Sequence, residues 1–251
     1  MSSYIYINSA DRISGSIEDF SVFIQDHLEN VDKNISVESL AIPYSYYVVN
    51  GNNNTLLAGP TGVDTITLTQ GNYTGSELST ELQTQLNAVL VPTYTVSFDS
   101  NSGKFTYSTG DASEFQIITD TQNYKYLGFD KSSTNSSSSG SLTSSNVIDV
   151  SGSQYIEVRT DLPIHSENNS NLNRDVLLRV YPNSEVFSTI FYQNNNAQVH
   201  FTSDKIQRVR FTLFDEFDNQ MDLNGLNWSL TLKVSPRDTE RSESTLPHIG
   251  F

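Results

Sequence analysis

Apolar and polar residues alternate with period 2 along much of this chain, the pattern of strands that bury one face. The clearest run lies near the C-terminus: Leu226, Trp228, Leu230, Leu232 and Val234 fall on one face, Asn227, Ser229, Thr231 and Lys233 on the other. Val209, Phe211 and Leu213 alternate with Arg208, Arg210 and Thr212. Phe20, Val22 and Ile24 repeat the pattern, as do Val176, Leu178 and Val180. Between these runs lie Asn50-Gly51-Asn52-Asn53-Asn54, Gly59-Pro60-Thr61-Gly62 and Asn194-Asn195-Asn196. Gly and Asn tolerate positive φ, so such clusters reverse the chain. Tyr and Phe, 13 of each, favour a pleated surface. Many short strands separated by turns predict an all-β sandwich or barrel.

One segment has a different period. Leu78, Leu82, Leu86 and Val89 recur at helical spacing and predict a helix over 77–90, with Thr74 and Glu77 as a capping box and Pro92 as the stop. A strand over 65–69 precedes it. A hairpin of 94–99 and 104–107 follows, joined by the turn Ser100-Asn101-Ser102-Gly103. This strand–helix–hairpin unit reads as a small separate domain. The tract 132–145 is almost entirely Ser, Thr, Asn and Gly. It has too little apolar area to offset its ordering entropy, which predicts a flexible connection. The polar tail 235–251 ends in Leu246-Pro247-His248-Ile249-Gly250-Phe251. It reads either as disordered or as an apolar tip that docks on a neighbour.

Composition narrows the class. With 29 acidic against 14 basic residues, the 251-residue chain has a net charge of -15. Nucleic-acid binding needs cations that displace counterions from phosphates, so direct nucleic-acid binding is not expected. The absence of cysteine excludes a disulfide framework and any thiolate ligand or nucleophile. No run approaches the roughly 20 apolar residues of a membrane span. The opening Met1-Ser2-Ser3-Tyr4-Ile5-Tyr6-Ile7-Asn8 lacks the basic and apolar regions of a signal peptide. The Asn-x-Ser/Thr triplets at Asn72 and Asn227 are accordingly read as chance.

Candidate chemistry is sparse along the chain. His27, His165, His200 and His248 share no motif, and no H-E-x-x-H, G-x-S-x-G, Walker or dinucleotide fingerprint occurs. Asp99-x-Asn101-x-Gly103 resembles half a calcium loop, but the twelfth position is Gly110 where Glu is required, so a hairpin turn is expected. Asp215, Glu216, Asp218, Asp222 and Asn224 either gather around a cation or form a solvated loop. Arg208 and Arg210, with Lys205 nearby, share one face of a strand. Their partners are carboxylates of an adjacent subunit, solvent or phosphate, and a subunit interface is the reading carried forward. No catalytic, cofactor-binding or metal residue is assigned, and the chain is expected not to be an enzyme.

Several segments resemble the penton and minor capsid proteins of large double-stranded DNA viruses, virophages and Polinton-like elements. Tyr4-Ile5-Tyr6-Ile7-Asn8-Ser9-Ala10-Asp11-Arg12 is similar to the family's opening strand and "NS-x-DR" turn. Ser39-Leu40-Ala41-Ile42-Pro43-Tyr44-Ser45-Tyr46-Tyr47 is similar to its "IPxSxY" stretch. Gly71-Asn72-Tyr73-Thr74, the helix, Val96-Ser97-Phe98-Asp99, Gly103-Lys104-Phe105 and Tyr126-Leu127-Gly128-Phe129 look like its "GNYT" module. Leu213-Phe214-Asp215 and Met221-Asp222-Leu223-Asn224-Gly225-Leu226-Asn227-Trp228-Ser229 look like its ending. The Ser-rich tract and the charged tail depart from the family pattern.

The resemblance implies a single jelly-roll β-sandwich with a small inserted α+β domain. The jelly roll takes residues 1–62 and 147–234, the insertion 63–130, a Ser-rich linker 131–146 and a tail 235–251. It also implies a homopentamer at the icosahedral vertices of a virion, in contact with the major capsid protein, assembled inside the host cell, with a vertex fibre or host receptor as further partners. No cofactor comes with it. Two rival readings remain: a carbohydrate- or receptor-binding fibre head using Tyr44, Tyr46 and Tyr47, and a metal-dependent hydrolase using the loop from Asp215 to Asp222.

Overall fold

The computed structural model describes residues 3–24, 33–162, 164, 176–194, 199–201 and 207–236. The first stretch forms β1 (Ser3–Asn8), a 3-10 turn at Ser9–Asp11, β2 (Ser14–Gly15) and β3 (Asp19–Phe23). β4 (Lys33–Pro43) follows. A second group comprises β5 (Thr55–Gly59), β6 (Asp64–Thr67), α1 (Gly75–Val89), β7 (Tyr94–Asp99), β8 (Lys104–Thr109) and β9 (Gln116–Ile118). It continues through α2 (Tyr124–Leu127), β10 (Thr134–Ser136) and β11 (Ser141–Thr143). The chain then returns with β12 (Ile156–Thr160), β13 (Val176–Val180), β14 (Thr189–Gln193), β15 (Val199–Phe201), β16 (Arg208–Phe214) and β17 (Ser229–Pro236).

The pairing works inward from the two ends. β1 pairs with β17, β3 with β16, β4 with β14 and β15, and β12 with β13, all antiparallel. A long hairpin folded over on itself in this way gives two sheets, β1-β17-β4-β14 and β13-β12-β16-β3-β2. That winding is a jelly roll, and the second group is inserted between β4 and β12. The inner faces share one core. Phe20 lies 5.4 Å from Trp228 across the sandwich, and Val209, Phe211 and Leu213 are fully buried as their alternation predicts.

Two alternations are corrected. Leu226 is exposed, because it sits in the turn ahead of β17. In β13, Leu178 and Val180 lie on the core face opposite Val158 and Ile156, Leu178 only partly buried. The register shift against β12 at Val158/Arg159 breaks the repeat beyond them, so that Leu177 is buried and Val176 half-buried.

The inserted unit has its own core, drawn from residues between Val49 and Ile148. Two small sheets, β10-β9-β5-β6 and β11-β8-β7, are packed with α1. The capping box forms: the Glu77 N–H donates to Thr74 Oγ1 at 3.3 Å and the Thr74 N–H to Glu77 Oε2 at 2.8 Å. Leu78, Leu82 and Leu86 are fully buried. Val89 is exposed instead, because the helix ends there and Leu90 at the cap fills the core.

The Ser-rich tract is not the flexible connection expected. It carries β10 and β11, paired with β9 and β8. Its neighbours supply the apolar surface it lacks, and its short side chains satisfy nearby backbone: Ser137 Oγ accepts from the Phe115 N–H at 2.7 Å and Ser144 Oγ from the Phe105 N–H at 3.2 Å. Residues 237–251 of the tail lie outside the described residues.

Candidate functional site

The segments that carried the family resemblance meet in space. Ser9 Oγ donates to Asn227 Oδ1 at 2.9 Å and accepts from the Trp228 N–H at 3.0 Å. Trp228 Nε1 donates to the Ile17 carbonyl at 2.9 Å. Ser45 Oγ donates to the Leu223 carbonyl and Asn224 Nδ2 to the Ser45 carbonyl, each at 2.6 Å. Asn72 Oδ1 accepts from the Val48 N–H at 2.8 Å. Buried polar groups need partners, and these residues supply them for chain ends far apart in sequence. Their work is to hold strand ends together. The side chains of Asn72 and Asn227 are thereby engaged by their own chain.

A cleft of about 250 Å³ lies where the inserted unit meets the jelly roll, with Tyr47, Gln122, Lys125, Asp215, Glu216 and Phe217 among its walls. Lys125 Nζ stands 2.7 Å from Glu216 and 5.3 Å from the Phe217 ring centre. Gln122 and Asn219 bond across the same junction at 2.9 Å. The loop read as either a cation site or a solvated turn is satisfied within the chain. Asp215 Oδ1 accepts from the N–H groups of Phe217 and Asn219, Glu216 pairs with Lys125, Asp218 pairs with Arg159 at 2.6 Å, and Asp222 Oδ1 accepts from the Asn224 N–H. Burial pushes the Asp215 carboxyl up, against the hydrogen bonds from Asn219 and Phe217. Among the described residues no group of three or more acidic or histidine side chains is placed to hold a metal ion. His200 lies on β15, while His27, His165 and His248 fall outside the described residues.

Tyr44 and Tyr46 are buried, with stacked rings 4.5 Å apart, and the Tyr44 hydroxyl donates to the Ser151 carbonyl. Neither presents a face to a sugar ring, which corrects the carbohydrate-stacking reading for these two; Tyr47 is half-buried in the cleft wall. Asp99 caps its hairpin, accepting from the Asn101 N–H at 3.0 Å and the Ser102 hydroxyl at 2.7 Å.

Arg208 and Arg210 both point outward from β16. Arg210 is held within its own chain: Nε donates to Asp19 Oδ1 at 2.6 Å and Nη2 to Oδ2, a bidentate pair. The Arg210 hydrogen bond and charge hold the Asp19 carboxyl below the usual range, against a smaller effect of burial. Arg208 Nη2 donates to Ser14 Oγ at 2.8 Å. Sequence reasoning did not find Asp19, because 191 residues separate it from Arg210. Arg179 and Arg159 share the same outer face, each bonded to Glu157, which they roof over almost completely. Burial raises the Glu157 carboxyl, but the hydrogen bonds of the two arginines outweigh it and hold the group below its usual range.

Comparison with solved structures matches this architecture. The mavirus penton protein superposes with a TM-score of 0.53 at 12% identity, over 94% of this chain and 100% of that one. The chain has the fold of that penton protein. Coverage this complete takes in the inserted unit as well as the jelly roll. A chain of the Sputnik virophage aligns at 13% identity over 94% and 98%, with a TM-score of 0.45. No family model matches the sequence, and no curated protein does.

Proposed function

We propose that this chain is a structural capsid protein, a penton subunit that assembles as a homopentamer, closes the fivefold vertices of a virion and contacts the major capsid protein. The observation that carries it is the jelly roll with its insertion between β4 and β12, matched over 94% of this chain to the whole of a penton protein. Such a role is mechanical and needs no catalytic set, so the chain is not an enzyme. A jelly roll leaves loops at both ends and broad sheet faces at its sides, and five copies related by cyclic symmetry meet through unlike patches that close a ring. The net charge of -15 opposes closure at long range. Screening over about 8 Å at physiological salt removes most of that repulsion, leaving short-range complementarity to decide. Arg208 and Arg210 supply part of that complementarity. The inserted unit projects outward and offers the attachment point for a vertex fibre or host receptor. Assembly takes place in the interior of the host cell.

Mass photometry of the purified chain, with negative-stain images for symmetry, tests the reading. A particle of five times 28.0 kDa with fivefold averages is expected. A monomer would overturn it, and a glycan-binding trimer would favour a fibre head.

A further inference from the structure

While Tyr181, Phe187 and Phe191 are exposed toward the β13/β14 side, the jelly roll exposes aromatic residues on both outer faces at the β1/β2 side of the sandwich. On the β1-β17-β4-β14 sheet these are Tyr4 and Tyr6 of the edge strand β1, Tyr6 being 81% exposed. On the other sheet it is Phe23 of β3, 71% exposed, and the exposed aliphatic Ile13 stands at the same edge just before β2. Phe23 pairs in register with Arg208, and Arg208 reaches across to Ser14 of β2. The short turn at Ser9–Asp11 leads directly from β1 to β2, so both patches flank the same side of the sandwich. Single exposed apolar residues are ordinary, but the Tyr4–Tyr6 pair on one face and Phe23 in register with Arg208 on the other have the aromatic and arginine composition of interface cores.

Charge marks the same surfaces. Four of the chain's eight arginines, Arg159, Arg179, Arg208 and Arg210, stand on the outer face that carries Phe23. The carboxylates Glu157, Asp19 and Asp218 each have an arginine partner there. On the face that carries Tyr6, Lys233 and Glu38 lie 3.9 Å apart. Residues 49–148, by contrast, hold eight acidic residues against three basic ones. Copies of a strongly acidic chain approach most easily where charge is locally balanced, and these two faces provide that.

We infer that neighbouring copies in the ring join through these two patches, with Tyr4 and Tyr6 of one copy against Phe23, Ile13 and Arg208 of the next. The inference rests on the pentameric reading above. The patches differ, so the contact is heterologous and leads to a ring rather than a two-fold dimer. Because both patches flank one side of the sandwich, copies touch there and splay apart at the opposite side. That wedge turns a stack of sheets into a closed ring, with the β1 and β2 edges toward its axis. Arg208 contributes as a guanidinium laid on a tyrosine ring of the neighbour.

The chain lacks cysteine, which makes thiol cross-linking clean. Tyr6→Cys and Phe23→Cys are introduced singly and together and treated with a short-arm bis-maleimide. The double variant should give covalent species from dimer up to a five-chain ring, and neither single variant should cross-link. Phe191→Cys, at the far edge of the Tyr6 sheet, serves as the control for contacts elsewhere. Self-linking of Phe23→Cys alone, linkage of Phe191→Cys, or no product from a pentameric double variant would overturn the inference while leaving the pentamer intact. A monomeric unsubstituted chain would instead defeat the pentameric reading itself.

Discussion

Lys125 and Glu216 meet at 2.7 Å where the inserted unit rests on the jelly roll, both side chains largely shielded from water. The Gln122–Asn219 bond lies beside them, so a small polar latch sets the pose of the insertion. Lys125→Ala leaves Glu216 without its cation in a shielded site, at a cost of about 1–3 kcal/mol. Hydrogen exchange should rise at residues 122–127 and 215–219 while the strands of the jelly roll stay protected. Unchanged protection at the junction would mean the pose is set elsewhere.

Acid stability should follow the arginine-paired carboxylates. The folded-state values of Asp19 and Glu157 are depressed, so their stabilisation is fully present above the ordinary carboxylate range, about pH 4, and is lost as pH falls through the folded values. Asp215 has the opposite sign, because burial raises it and protonation relieves the folded state. Asp19→Asn should flatten the acid limb of a stability-versus-pH curve measured by denaturant unfolding. A limb as steep as that of the parent chain would assign acid sensitivity to other groups.

Gly140 turns the Ser-rich tract from β10 into β11 with φ at +67°, where an added Cβ would come within 2.5 Å of the Ala112 Cα. Its carbonyl also accepts from the Thr109 N–H at 2.9 Å. Gly140→Val combines left-handed strain with a backbone clash, and about 1–3 kcal/mol of destabilisation is expected. Chemical denaturation gives the magnitude, and amide exchange across 134–143 shows whether the loss is local.

If the chain assembles as the proposed pentamer, charge reversal at Arg208 and Arg210 should dissociate it while far-UV circular dichroism still reports a folded β protein. Arg210→Glu additionally faces Asp19, so the monomer loses some stability, whereas Arg208→Glu spares it. Pentamer mass and virion incorporation indifferent to both changes would dismiss an interface role for this strand.

Local patterns were legible in the sequence wherever one element obeys one repeat. Leu78, Leu82 and Leu86, the Thr74 cap and the β16 alternation are all of this kind. Failures came where tertiary context overrides the repeat. Leu226 continues the alternation but belongs to a turn. The Ser tract looks too polar to order, yet its neighbours bring the apolar surface. Arg210 carries no sign that Asp19 is its partner, because that pair exists only once β3 lies beside β16. The same holds for Ser9 and Trp228, whose segments were recognisable one by one while their mutual bonds were not.

The pairing of Ser3 with Val234 gives this molecule a particular order of events during synthesis. Contacts so distant in the chain form slowly, whereas the inserted unit closes over neighbouring residues. On the ribosome β1, β3 and β4 emerge first and wait with their apolar faces uncovered until β16 and β17 arrive. The insertion has by then left the tunnel and can complete its own core, so a nascent chain carries a finished appendage on an unfinished barrel.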